Sequence, residues 1–510
     1  MSGEQQPGAE GKTASVLSKG ENGLKTDIIV IGAGVTGCAV ARMLSRYEAD
    51  VTVLERGCDC AEGASKANSG IVHAGFDAVP GTKKALYNVR GAEMYEALTG
   101  ELGVPYRRNG ALVVAFSEEE RPVLRELLEQ GEKNGVKELR IVEKDELHAL
   151  EPNLNPEAVC ALYAPTSGLV SPYEMTYALA DHAAVNGVRF VFDTNVTGLR
   201  REDGLWHVAT DNGEWEARAV VNCAGCGADT LHNAICAAGE EIHIIPRRGQ
   251  YDILDHPDAE PFARTMFQCP SKMGKGILVA PTVHRNVLLG PTAEDIDDER
   301  DNSTTAEGLS EVSRVAARTW PAISLRTVIT NFSGVRAHEA KGDFVIGAVP
   351  GAEMAWEAAG IESPGLSAAP AIGEALAEMI AEGMGLGKKA EWKPAPAHPK
   401  PFNEMNEAER AAAVAADPEN GHIICRCEVV TEAEIRAAIR RPVGAKTIDG
   451  VKRRTRAGMG RCQGGFCSPR VAEILAEELR EPLTAVTKDG HGSELLVGTV
   501  HSAMEEAAQA

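Results

Sequence analysis

The residues with the clearest chemistry in this 510-residue chain are four cysteines near its C-terminus. They are spaced C-x-C-x34-C-x4-C and read in place as Cys425-Arg-Cys427 and Cys462-Gln-Gly-Gly-Phe-Cys467. Four thiolates gathered in this way suit a [2Fe–2S] cradle, because iron–sulfur clusters are held by four cysteine thiolates. Structural zinc is the lesser reading: paired zinc ligands usually stand about two to four residues apart, and the first gap here is a single residue. Unrelated core cysteines are another reading, since free cysteine is often buried. Four of them within 43 residues, flanked by glycines, argue against it. Disulfides are disfavoured because the chain shows no signal peptide and the other eight cysteines have no framework spacing. A cluster hands electrons on one at a time, so the rest of the chain should be able to feed it.

The elements that must position these thiols are punctuated clearly. Thr431-x-x-Glu434 is a capping box and predicts a helix that stops before Pro442. Ser468-Pro469 predicts an N-cap followed by a first-turn proline, opening a helix over Arg470–Leu479. Cys467 would then lie at a helix N-terminus, where the helix dipole favours a thiolate. Lys452, Arg453, Arg454, Arg456 and Arg461 crowd the approach to the third cysteine. They read equally as compensation for the negative charge of a cluster or as a solvated basic face.

A second constellation stands at the other end. Asp27-Ile-Ile-Val-Ile31 is an apolar run of the kind found in buried parallel strands. It runs directly into Gly32-Ala-Gly34-Val-Thr-Gly37 and a helical stretch to about Ser45, then a second strand, Val51–Leu54, ending in Glu55. Strand, glycine turn, helix and acid together make a dinucleotide fingerprint. The glycines permit a tight turn and close approach of a pyrophosphate, and the helix N-terminus offers N–H donors. Glu55 suits a ribose hydroxyl. The fingerprint alone leaves FAD and NAD open. Ala219-Val-Val-Asn-Cys-Ala224-Gly225 is an apolar strand ending in a small turn, laid out like the second nucleotide strand of FAD-dependent oxidoreductases.

Between these ends the chain alternates. Leu112–Phe116 and Gly187–Phe192 read as strands, Glu118–Asn134 and Pro172–Asn186 as amphipathic helices, and Ile277–Ala280 with Val287–Gly290 as an antiparallel pair. The expected fold class is α/β: a Rossmann-type FAD domain carrying an inserted antiparallel substrate sheet, followed by a small, mostly helical [2Fe–2S] domain. Expected boundaries are a disordered tail over 1–24, the flavin oxidoreductase over 25–385, a linker over 386–420 with five prolines, the [2Fe–2S] domain over 421–482 and a C-terminal tail over 483–510.

Composition sets limits. The apolar fraction is 44%, enough for a large core, and the net charge is −22, which argues against nucleic acid as a partner. No apolar run reaches the roughly 18 residues needed to span a bilayer. The expected location is therefore cytoplasmic, with any contact with the inner membrane made through a partner.

Residues 25–380 resemble the flavin-dependent glycerol-3-phosphate dehydrogenases and oxidases, within the D-amino-acid-oxidase-like flavoproteins. The matching stretches are Ser65-Lys-Ala-Asn-Ser-Gly-Ile-Val-His-Ala-Gly75, Pro246–Tyr251, Gly274-Lys-Gly276 with Gly290-Pro-Thr292, Phe332-Ser-Gly-Val-Arg336, and Gly360-Ile-Glu-Ser-Pro-Gly-Leu366. Residues 421–482 resemble the bacterioferritin-associated ferredoxin-like [2Fe–2S] domain, and the two in this order are similar to the A-subunit type of the anaerobic dehydrogenase. The resemblance implies FAD and a [2Fe–2S] cluster held by Cys425, Cys427, Cys462 and Cys467. It implies a flavin contacted by Gly32, Gly34, Gly37, Glu55, Ser65, Asn68, Ser69, Gly70, Val196, Ala224, Gly225, Gly334, Ser363, Pro364, Gly365 and Leu366.

Oxidation of a secondary alcohol needs a base for the hydroxyl proton, and histidine, with an ordinary pKa of about 6.5, is the usual choice. His73 is the candidate, as base or substrate-polarising ligand. A core histidine or a covalent flavin anchor are its alternatives. Arg336 and Lys275 match the family's positions for an anionic substrate, which arginine binds through paired donors. Relatives among the oxidases often carry histidine where this chain has Met273. The implied reaction is oxidation of glycerol 3-phosphate to dihydroxyacetone phosphate, with electrons leaving through the cluster to a partner carrier or quinone. An L-2-hydroxyacid dehydrogenase of the 2-hydroxyglutarate type is the alternative, since those enzymes carry a similar N-S-G-x-x-H-x-G. A non-catalytic electron-transfer subunit and an oxygen-using oxidase are further ones.

Overall fold

The computed structural model describes residues 24–270, 276–498 and 500. Residues 1–23 of the tail expected over 1–24, and the candidate Lys275, with Met273, lie outside the described residues; Leu24 itself opens the first strand.

The first strand, Leu24–Ile31, is central to an eight-stranded sheet. It pairs in parallel with Val51–Leu54 on one side, Ile28 opposite Val51, and with Gly213–Asn222 on the other, Ile28 opposite Ala219. Arg189–Val191 and Ala355–Ala359 extend the parallel set outward. An antiparallel meander, Val196–Glu202 and Leu205–Thr210, runs into the N-terminal half of Gly213–Asn222. The middle strands are apolar on both faces because both faces are covered. On one face the helices Val35–Leu44, Lys83–Leu102, Pro172–Val185 and Gly365–Met384 pack against one another and enclose the main core, with Ile28, Val30, Leu44, Tyr95 and Ile372 fully buried.

A nine-stranded mixed sheet forms the second layer. Its long pair, Ile244–Leu254 and Val328–Glu339, runs antiparallel through eleven residue pairs from Ile244–Glu339 to Leu254–Val328. The predicted pair near residue 280 is present as Leu278–Pro281 and Val287–Gly290, with Leu278 opposite Gly290. This sheet provides one wall of the cavity described below.

The C-terminal unit is a short hairpin, Ile423–Cys425 with Val430–Thr431, and three helices, Glu432–Ile439, Ile448–Thr455 and Ser468–Leu479. They close around Ile435, Val451, Ile474 and Leu475. Both halves of the Thr431–Glu434 capping box are formed. The last helix differs from expectation. Ser468 is already helical, its N–H bonded to the Gly464 carbonyl at 3.0 Å, and Cys467 takes the N-cap position. Proline at the second helical position still lacks a donor that the helix would leave unpaired, so the shift is tolerated.

Residues 386–420, expected as a linker, lie down as an ordered strap. Trp392 Nε1 donates to Ser45 Oγ at 3.0 Å, the ring sits 4.4 Å from His182, and the Arg42 and Arg46 guanidinium groups lie over it. Asn406 and Glu409 form a capping box that opens a helix over Glu407–Ala416. The prolines here stiffen extended chain and supply no flexibility. The segment after 483, expected as a tail, is likewise engaged: Val486 is buried and Asp489 pairs with Lys66 and Arg453, each at 3.2 Å.

Candidate active site and metal centre

A cavity of about 1340 Å³ runs between the two layers. Its floor is the glycine turn after the first strand. Gly32 has φ +101°, and a Cβ at Gly37 would stand 2.0 Å from the Gly32 carbonyl oxygen, so neither position accepts a side chain. Gly34 caps the helix that follows. Glu55, at the end of the second strand, accepts from the Ala33 N–H at 2.7 Å and the Gly57 N–H at 2.8 Å. Burial pushes its carboxyl upward against these two bonds. Ser65 Oγ accepts from the Val35 N–H at 2.9 Å and ties the next loop to the same turn. Val196, Ala224 and Gly225 line this end of the cavity from the two neighbouring strands.

The Ser65–His73 loop forms the middle of the wall. Asn68 Oδ1 accepts from the Gly70 N–H at 2.8 Å, and its amide donates back to the Ala64 carbonyl at 2.9 Å, so Asn68 shapes the loop as well as lining it. Ser69 lines the same stretch. Gly334, on the facing strand, would place a Cβ 2.0 Å from the Ala67 carbonyl oxygen, and its lack of a side chain lets loop and sheet meet. His73 is buried on the wall, its ring 5.8 Å from that of Phe267. Its backbone N–H donates to Ser367 Oγ at 2.8 Å, on the helix whose start, Gly365 and Leu366 with Ser363 and Pro364 before it, closes the cavity's end. A helix start there turns N–H donors and positive dipole into the cavity.

Arg336 projects from the facing strand. Its Nη2 donates to the Thr292 carbonyl at 3.0 Å, and its buried Nε has no partner among the described residues. A buried guanidinium nitrogen left unpaired is costly and is a ready donor for an anion. Tyr251, stacked on Phe332 at 4.7 Å, shares this part of the wall. Beside it Glu362 accepts from Lys84 at 2.6 Å and meets His338 at 2.8 Å. Burial works against its charge, but Lys84 and His338 outweigh burial and hold it below the usual carboxylate range. Sequence reasoning missed Ser367, Phe267 and the Lys84–Glu362–His338 group. Tyr251 was visible only as the last residue of a matching stretch.

The four C-terminal thiols meet in space. Cys427 Sγ and Cys462 Sγ are 3.7 Å apart and exposed; Cys425 and Cys467 are buried. The Cys467 thiol donates to Cys425, and with backbone N–H groups of Gly458, Glu428 and Cys427 it brings the Cys425 thiol down to about 6. Four thiols ringed by backbone donors fit an anionic iron–sulfur cluster. Most of the arginines nearby do something the sequence did not suggest: they face acids outside the module, while Arg456 pairs with Glu428 inside it at 2.7 Å. Arg454 binds Asp59 at 2.6 and 2.8 Å, and Arg441 binds Asp181 at 2.6 Å. Arg461 reaches Asp255 at 2.7 Å, and Arg453 donates to Tyr177 Oη at 2.8 Å.

Glycine turn, buried acid, long cavity and wall loop together define a flavin-binding oxidoreductase joined to an iron–sulfur module. Residues 27–379 match the family model for FAD dependent oxidoreductases, residues 423–477 match the BFD-like [2Fe-2S] binding domain, and the chain belongs to that FAD-dependent family. It is 45% identical to a glycerol 3-phosphate dehydrogenase of Caloramator mitchellensis over 94% of this chain and the whole of that one. The dithionite-reduced, FAD-bound L-alpha-glycerophosphate oxidase of Mycoplasma pneumoniae superposes with a TM-score of 0.69 at 30% identity, covering 74% of this chain and 99% of that one. A mitochondrial L-2-hydroxyglutarate dehydrogenase of Arabidopsis thaliana is 30% identical over 69% of this chain and 83% of its own. Among the described residues no helix is long and apolar enough to cross a membrane.

Proposed function

We propose that the chain oxidises glycerol 3-phosphate to dihydroxyacetone phosphate and passes the electrons through its thiol module to an external carrier, a partner subunit at the inner membrane or quinone. The observation that carries this reading is one cavity holding both a buried histidine and a half-buried arginine whose buried Nε has no partner among the described residues. His73 takes the hydroxyl proton of the alcohol. Arg336, with Lys275 assigned to the same task by resemblance, binds the anionic end. The glycine turn, Glu55, the Ser65–Gly70 loop and the Ser363–Leu366 turn hold FAD, which supplies a hydride acceptor. Cys425, Cys427, Cys462 and Cys467 hold a [2Fe–2S] cluster, which supplies a one-electron relay.

The likeness to a dehydrogenase of this substrate across 94% of the chain, thiol module included, supports glycerol 3-phosphate first. The 2-hydroxyglutarate type stays second, on the 30% likeness. Anaerobic titration separates them. Glycerol 3-phosphate is expected to bleach the flavin absorbance at concentrations where L-2-hydroxyglutarate leaves it intact, and the reverse order would replace the substrate.

A further inference from the structure

We propose that the thiol module is fixed against the back of the cavity wall, and that electrons cross between the two centres at the Tyr173–Met459 contact without any domain swing. The inference rests on the function proposed above.

Met459 belongs to the loop that wraps the thiols. Gly458, on one side, gives its N–H to Cys425. Gly460, on the other, packs so closely that a Cβ there would lie 2.3 Å from Cys427 Cβ. The thioether of Met459 points away from this loop and accepts the Tyr173 hydroxyl at 3.5 Å. Tyr173 opens the helix Pro172–Val185, immediately after a strand whose Val170 N–H donates to the Gly70 carbonyl at 2.8 Å. Gly70 stands between Ser69 and Ile71, which line the cavity wall on either side of it. The path from wall to ligand loop therefore passes through Gly70, Pro172, Tyr173 and Met459, in contact throughout.

The interface around this contact is built to stay shut. The Arg454 side chain is 0% exposed, holds Asp59 with two bonds, and lies 3.8 Å over the Tyr177 ring. Asp181, also 0% exposed, accepts from Arg441 and from the Val443 N–H at 2.8 Å. Opening such an interface strands charges that burial has stripped of water. That sets it apart from the polar, transient contacts usual between mobile domains. The exposed pair Cys427 and Cys462, with Phe466 beside them 60% exposed, leaves a face for the outgoing carrier.

The balance is simple. Oxidising one alcohol to a ketone releases two electrons and two protons. The protons leave through His73 and solvent. Each electron would need an oxidised cluster in the thiol quartet to receive it and an external one-electron acceptor to take it on before the next.

The test has two arms on the anaerobically purified holoenzyme. In the first, a protease site is placed in the strap between Ala395 and Lys400 and cut. Fixed docking predicts that the fragments co-elute in 1 M salt, where the screening length is only about 3 Å; separation would overturn it. In the second, Tyr173→Ala and Met459→Ala are mixed rapidly with glycerol 3-phosphate. The flavin should bleach as in the wild type, while the reduced-cluster resonance fails to develop on the wild-type time scale. Met459→Leu, which keeps the packing, should restore it. Normal cluster reduction in both alanine variants would overturn the route. If the wild-type flavin does not bleach, the proposed substrate is wrong, while dithionite-reduced protein still shows whether the fragments stay together.

Discussion

The flavin cavity and the thiol quartet are assembled in opposite ways. The quartet comes from 43 consecutive residues and one small core, with Cys425 and Cys467 themselves part of that core. The cavity is collected from segments spread over more than 330 residues, from Gly32 to Leu366, and from two different sheets. The polar groups differ too. Around the quartet Arg441, Arg454 and Arg461 are spent on acids outside the thiol module, and Arg456 on Glu428 within it. In the cavity Arg336 forms no ion pair with an acid among the described residues and donates instead to the Thr292 carbonyl. A site that must take in a ligand leaves a charge open, and a site that must stay where it is closes its charges on its own chain.

Changes to the cavity floor should have the largest effect. Gly37→Val puts a side chain where even a Cβ would overlap the Gly32 carbonyl at 2.0 Å, and the protein is expected to lose bound FAD entirely, read from the visible spectrum. A variant that purified yellow would show that this turn is not the flavin's seat. Next comes His73→Ala. On the proposed reading turnover falls by about 10²–10⁴, the usual scale for general acid–base catalysis, with FAD retained. Unchanged turnover would return His73 to the role of a core histidine.

The interface should respond in stability before activity. Asp59→Asn leaves the buried Arg454 without its countercharge, and breaking a buried pair from one side costs about 3–5 kcal/mol. Urea unfolding followed separately by flavin and cluster absorbance would measure it. The surface pair Lys137–Glu93, 71% and 54% exposed, is the contrast: Lys137→Ala should leave the unfolding midpoint where it is. Equal losses from the two would remove the distinction between a closed interface and an ordinary surface.

How much of this was legible in the sequence follows the same division. Local patterns carried their information: the Gly32–Gly37 turn, the Thr431–Glu434 cap and the four cysteines could be read because each is specified by neighbours in the chain. Ser367 could not, since nothing in an alanine-rich helix says that its hydroxyl will receive the backbone N–H of His73, 294 residues away. The partners of the basic run at 452–461 were illegible for the same reason. Seen along the chain its counterion looked like a cluster or water, while its partners, Asp59 and Asp255, come from distant segments brought alongside only by folding. The linker's docking was not legible because prolines signal only extended chain: Trp392 anchors it through stacking that no pattern of prolines encodes.

On the proposed reading one region oxidises the substrate and the other only decides where the electrons go. The most direct measurement is to mix Cys462→Ser anaerobically with glycerol 3-phosphate, with and without a one-electron acceptor. The flavin should bleach as in the wild type while the acceptor stays oxidised. A folded variant whose flavin no longer bleaches would contradict it.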